Sequence, residues 1–219
     1  MNSNKSRPSL IYQANFEELK KSNNYFADKT EYLKTILTDS SSVLLFIRPN
    51  GFGKTMLMTM FESFLQINPE KPFDNSKQLE LFKGTKILED KEFCSKFMGQ
   101  YPVIYINLKD VDSDNYDEAY KKFAKVVCDC ASKYNFLLNS SKLRERHKEK
   151  LSPITDVGYL SKLENSDYLT WSMRCIAKFL YLEYGKYPIL LIDEYDVPLK
   201  RAAYHDKQNK KHSWEWKRI

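Results

Sequence analysis

Three apolar runs of strand length, at residues 43–47, 103–108 and 189–192, constrain this chain more than any other feature. Each is nearly unbroken instead of alternating, which is what a parallel strand covered on both faces requires. Helical periodicity fills the intervals between them. Residues 54–65 place Met56, Leu57, Met60, Phe61 and Phe64 on one broad face. Tyr116, Ala119, Tyr120, Phe123, Val126, Val127 and Cys130 recur at i, i+3, i+4, i+7 spacing. A third helix is expected over 167–184, stopped by Gly185 with Pro188 beyond it. Strands alternating with helices predict an α/β fold, a three-layer parallel sheet flanked by helices. The 219 residues are enough for one such domain.

Around that frame the chain divides into a helical lead-in at 1–40, a core at 41–199 and a basic tail at 200–219. The lead-in reads as two helical pieces over 16–39, broken around Ser22, Asn23 and Asn24, with Asp28 or Thr30 as cap of the second. Residues 142–150 are polar nearly all round and read as an exposed helix or lid-like insertion. The formal charge is +6, but 200–219 hold seven basic residues against two acids, leaving +1 for the rest. A basic end of this kind is expected to be solvated, though it can bind polyanions. Cys128 and Cys130 have no second pair at zinc-ligand spacing, so the four cysteines are expected as buried, reduced thiols. No run approaches the roughly 20 apolar residues of a membrane span, and the polar start MNSNKSRPSL lacks a signal core. A cytoplasmic protein without a membrane partner is expected.

Two segments carry chemistry. Residues 48–55 read R-P-N-G-F-G-K-T, the second half of the phosphate-loop pattern G-x-x-x-x-G-K-[S/T] with Arg48 at the first glycine. Gly51 and Gly53 can take positive φ and, with Phe52 between them, turn backbone N–H groups toward an anion. The helix that follows adds its N-terminal dipole. Lys54 is then placed for the β- and γ-phosphates of a nucleotide, and the Thr55 hydroxyl for Mg²⁺. The second segment is the apolar run 189–192 ending in Asp193-Glu194. A carboxylate leaving a parallel sheet at its C-terminal edge suits Asp193 to hold Mg²⁺, directly or through water. Glu194 is placed to orient or deprotonate an attacking water as general base.

With those residues in view, the sequence resembles the bacterial AAA-ATPase-like family, whose fuller members often carry a C-terminal PD-(D/E)XK nuclease-like domain. Tyr25-Phe26-Ala27-Asp28-Lys29-Thr30 is similar to that family's Y-F-x-D-K-T element. The loop from Phe46 to Thr55 resembles its R-P-R-R-F-G-K-[S/T], and 191–198, LIDEYDVP, its L-I-D-E-Y-D-x-P. The resemblance implies that Arg48 is a family trait, that ATP is the ligand, and that nucleic acid is a partner through the nuclease association. Asn50-Gly51 stand where the family has an arginine pair, which removes two positive charges beside the phosphates. After Pro198 the ending HDKQNKKHSWEWKRI fits neither a strand nor an apolar helix face, and a truncated or frameshifted member is the expectation it raises. The leading reading is Mg²⁺-dependent ATP hydrolysis. Alternatives are a nucleotide-binding module or remnant without turnover, and a nucleic-acid- or partner-binding fragment working through the basic tail. A small-molecule kinase would use the same phosphate chemistry, but the Asp193-Glu194 pair favours hydrolysis.

Overall fold

The computed structural model describes residues 15–22, 25–47, 49, 51–113 and 115–200. The basic tail beyond Lys200, together with Asn23, Asn24, Arg48 and Asn50, lies outside the described residues. The chain divides into two compact units, 1–101 and 102–219.

In the first unit Asn15 caps α1 (Phe16–Lys21), its side chain accepting the N–H groups of Glu17 and Glu18. The Phe16 N–H donates to Thr59 Oγ1 at 3.0 Å, which ties the start of α1 to α3 (Lys54–Leu65). Leu57, Met60, Phe61 and Phe64 of the expected face are buried in α3, joined by Thr59 and Leu65, while Met56 is half-buried. The core continues as a chain of rings: Phe16 to Phe82 at 4.8 Å, Phe82 to Phe64 at 5.3 Å and Phe64 to Phe93 at 5.9 Å. Each such pair adds about 0.5–1.5 kcal/mol beyond the area it buries. Phe82 follows α4 (Ser76–Leu81), and Phe93 belongs to α5 (Lys91–Phe97), which Asp90 caps through the Phe93 N–H.

The lead-in splits as expected into α1 and α2 (Glu31–Leu37), but its motif does other work than capping. Thr30 occupies the N-cap of α2 with no side-chain cap hydrogen bond. Asp28 Oδ1 instead accepts the Thr30 N–H at 2.9 Å and its hydroxyl at 2.7 Å, while Oδ2 accepts the Lys86 N–H at 2.8 Å. Thr30 Oγ1 in turn accepts the Ile87 N–H at 3.2 Å. Residues 25–30 are thus fastened to the turn of 3₁₀ helix at Lys86–Glu89.

In the second unit β1 (Val103–Asn107) and β2 (Ile189–Asp193) pair in parallel, from Val103 opposite Ile189 to Asn107 opposite Asp193. A parallel pair needs a long crossover. Here it is helical: α6 (Tyr116–Ser132), α7 (Glu145–Ile154), α8 (Val157–Leu160) and α9 (Ser166–Tyr184). Tyr120, Ala124, Val127 and Cys128 of α6 pack with Leu160 and Leu169 into one buried cluster. Gly185 ends α9 in the left-handed conformation at φ +70°. All four cysteines are free, with Cys94, Cys128 and Cys130 buried as expected.

Two expectations need correction. Residues 43–47 form no strand, and Val43 and Ile47 are 85% and 80% exposed. An apolar run supplies side chains suited to a covered sheet, but a strand also needs a backbone edge to pair with, which no side-chain pattern specifies. The sheet seen among the described residues therefore has two strands, and a full three-layer arrangement is not present among them. For the same reason β2 is not covered on both faces: Leu190 and Ile192 stay exposed while Asp193 is buried. The polar stretch 142–150 is mostly exposed and helical from Glu145 on, as expected. Its helix runs on to Ile154, buries Leu151 and Ile154, and sets the His147 ring 5.5 Å from Phe179 of α9.

Candidate functional site

At the phosphate loop, Gly51 and Gly53 take φ of +82° and +76°, the left-handed conformation in which glycine meets no Cβ penalty. The Phe52 N–H donates to the Pro49 carbonyl, closing a turn between them. Gly53 is the N-cap of α3, and no side chain caps the helix. The first N–H groups of an α-helix point along its axis, so this end carries partial positive charge. Lys54 and Thr55 open the helix there, both half-buried. The Thr55 carbonyl accepts the Thr59 hydroxyl at 3.0 Å, which links this first turn to the residue that also holds α1. An uncapped helix start of 12 residues preceded by two left-handed glycines fits a phosphate ester.

At the end of β2 Asp193 is 3% exposed, and both oxygens of its carboxylate accept hydrogen bonds. Its Oδ1 accepts the Glu194 N–H at 3.0 Å. Its Oδ2 accepts the Asn107 Nδ2–H at 3.2 Å and the Tyr105 hydroxyl at 3.3 Å. Hydrogen bonds to a charged group contribute about 1.5–3 kcal/mol each, so these donors make a buried carboxylate tolerable. The orientation of the Asn107 amide is settled by its other end, because Oδ1 accepts the Lys109 N–H at 2.9 Å. Strand pairing also fixes the main chain here, with the Leu108 N–H donating to the Asp193 carbonyl at 3.0 Å. Glu194 leaves the strand at φ +53°, a left-handed conformation that is uncommon for a residue with a side chain. Such strained positions cluster at functional sites.

The expected site residues therefore fall into two places. Gly51, Phe52, Gly53, Lys54 and Thr55 share the loop-to-helix junction of the first unit, and Asp193 and Glu194 share a strand end in the second. Tyr105 and Asn107 are partners that the sequence did not single out. A signal was present, since a carboxamide at the end of an apolar strand is out of place unless it has a partner. Each place by itself offers a hard oxygen: the Thr55 hydroxyl in the first and the Asp193 carboxylate in the second. Among the described residues no three acidic, His or Cys side chains gather into a cage. Mg²⁺ does not need one, because it takes one or two protein oxygens together with substrate phosphates and water.

An uncapped glycine-led helix start and an acidic strand end are the two sequence marks of the P-loop nucleoside triphosphatase class. Comparison with known families agrees: residues 11–217 match the AAA-ATPase-like family, described as predicted AAA-ATPase, and the chain belongs to it. Membership implies nucleotide binding. No curated protein and no solved structure matches the chain. No helix among the described residues is long and apolar enough to cross a membrane.

Proposed function

We propose that this protein binds Mg-ATP at the start of α3 and hydrolyses it. The observation that carries the reading is the uncapped, left-handed Gly53 start of α3 within Gly51-Phe52-Gly53-Lys54-Thr55. Backbone N–H groups there bind the phosphates, and the Lys54 ammonium draws charge toward the β- and γ-oxygens. Thr55 and Asp193 would hold Mg²⁺, Asp193 directly or through water, and the ion when bound would neutralise charge on the phosphates. Glu194 orients the attacking water and accepts its proton as the γ-phosphorus bond to the bridging oxygen breaks, giving ADP and phosphate. Asn107 and Tyr105 keep the Asp193 carboxylate in one orientation.

Thermal melting with and without Mg-ATP tests binding. A ligand at 100 times its Kd adds about 2.7 kcal/mol to stability by mass action. An unchanged melting midpoint at saturating Mg-ATP contradicts the reading. Phosphate release then tests turnover: wild type should exceed Glu194→Gln, and equal background rates in both would leave a binding module without hydrolysis.

A further inference from the structure

The Tyr25–Thr30 element, which the phosphate chemistry leaves without a role, forms a wall of a cavity beside the loop. This cavity of about 180 Å³ is lined chiefly by Phe26, Tyr32, Phe52, Met56 and Met60 and reaches Gly53. At about 30 Å³ per water in the liquid, it has room for roughly six waters, or for one flat ring system. The rest of its lining is aliphatic (Leu19, Ala27, Leu57), Lys29 and Gly53, and its aromatic and thioether groups are surfaces suited to the face of a ring. Phe52 and Tyr32 expose 62% and 44% of their surface, apolar area that a stacking ligand would cover.

The wall is set in place before any ligand arrives. Asp28 and Thr30 fasten residues 25–30 to Lys86 and Ile87, and Phe26 meets the fully buried Phe16 edge-on at 5.5 Å. A preformed wall lowers the ordering cost of binding. The cavity also meets the helix start at the residue that caps it, so a ligand with phosphate on the N–H groups of α3 has its remainder at the cavity mouth.

We propose that this cavity receives the nucleotide base and holds it by stacking, with little discrimination between adenine and guanine. The proposal rests on the phosphate site described above. Among the described residues the lining carries no carboxylate or carboxamide side chain to read the base edge; its polar side chains there are those of Lys29 and Tyr32. Stacking tolerates any base, because every base presents a π-face. Strong rejection of an analogue requires buried polar groups that it leaves unpaired.

The test is equilibrium binding of Mg-ATP, Mg-GTP and Mg-tripolyphosphate to the full chain. Tyr32→Ala removes a stacking surface, and Ala27→Trp fills the cavity from an exposed position outside the phosphate loop. In wild type, ATP and GTP should bind within about tenfold of each other and at least about tenfold tighter than tripolyphosphate. Both variants should weaken ATP about tenfold and leave tripolyphosphate unchanged. ATP binding no tighter than tripolyphosphate overturns the base site while leaving the phosphate site standing. So does a parallel loss of both ligands in the variants. A preference for ATP over GTP far beyond tenfold overturns the stacking account of selectivity. Failure of all three ligands to bind wild type overturns the phosphate site, and the base site with it.

Discussion

Replacing Glu194 with glycine should stabilise the protein relative to alanine at the same position, the reverse of the usual order. The cause is the φ of +53° at Glu194. A left-handed residue with a Cβ costs about 1–2 kcal/mol from the clash with the following carbonyl. Glycine avoids that cost but brings a more flexible unfolded chain, worth about 0.4–1 kcal/mol against it. The difference leaves Glu194→Gly more stable than Glu194→Ala by about 0.5–1 kcal/mol. The Glu194 N–H bond to Asp193 Oδ1 is a backbone donor and survives in both variants, so the comparison isolates the backbone. Urea denaturation at fixed pH reads the gap, and phosphate release checks that both variants have lost turnover. An alanine variant as stable as the glycine variant, or more so, would refute the strain argument and with it the claim that Glu194 is held for function.

Three further predictions concern Asn107 beside Asp193, Asp28 in the first unit and His147 in the second. Asn107→Leu removes a donor from the buried Asp193 carboxylate and should cost about 1.5–3 kcal/mol in unfolding free energy, with phosphate release falling as well; retained stability and turnover would show that Tyr105 and the Glu194 N–H suffice. For Asp28, burial acts to raise the pKa, but hydrogen bonds from the Thr30 N–H, the Lys86 N–H and the Thr30 hydroxyl outweigh it and hold the carboxyl below its ordinary 3.8. The stabilisation is thus present above that pH and lost as pH falls through the lowered value, so Asp28→Ala should cost about 1 kcal/mol at pH 7 and progressively less below pH ~4. A gap that stays constant down to pH 3 would contradict this. The His147 imidazole is pushed below its ordinary 6.5, first by burial and then by Arg146, Lys178, Arg144 and Lys150, and its Nδ1 is buried without a hydrogen-bond partner. The unfolded state then binds more protons as pH drops through that range, so wild type should lose more stability than His147→Phe between pH 7.5 and 5.5; equal losses would remove His147 as the cause.

Much of the fold was legible because it follows from local rules. The helix beginning at Lys54 follows from a glycine turn and an apolar face, and α6 and α9 follow from spacing with a Gly185 stop. Short elements such as α4, α5 and α8 carry too few turns for periodicity to reveal them. Residues 142–150 are largely solvated as their polarity suggests, and the buried residues of their helix, Leu151 and Ile154, lie one turn further on.

By itself the sequence singled out the residues to which the chemistry is proposed to belong. A glycine-led helix start and a carboxylate at a strand end depend only on neighbours along the chain, and they specify Gly53-Lys54-Thr55 and Asp193-Glu194 from any context. Tertiary structure alone decided what surrounds those groups. Asn107 reaches Asp193 because parallel pairing sets the two residues opposite each other, 86 positions apart. Asp28 and Thr30 fasten the cavity-lining segment of Phe26, Ala27 and Lys29 because Lys86 and Ile87 meet them across more than fifty residues. Residues 43–47 carry a strand's side chains and remain unpaired, since a strand is completed only by an edge that another part of a fold supplies.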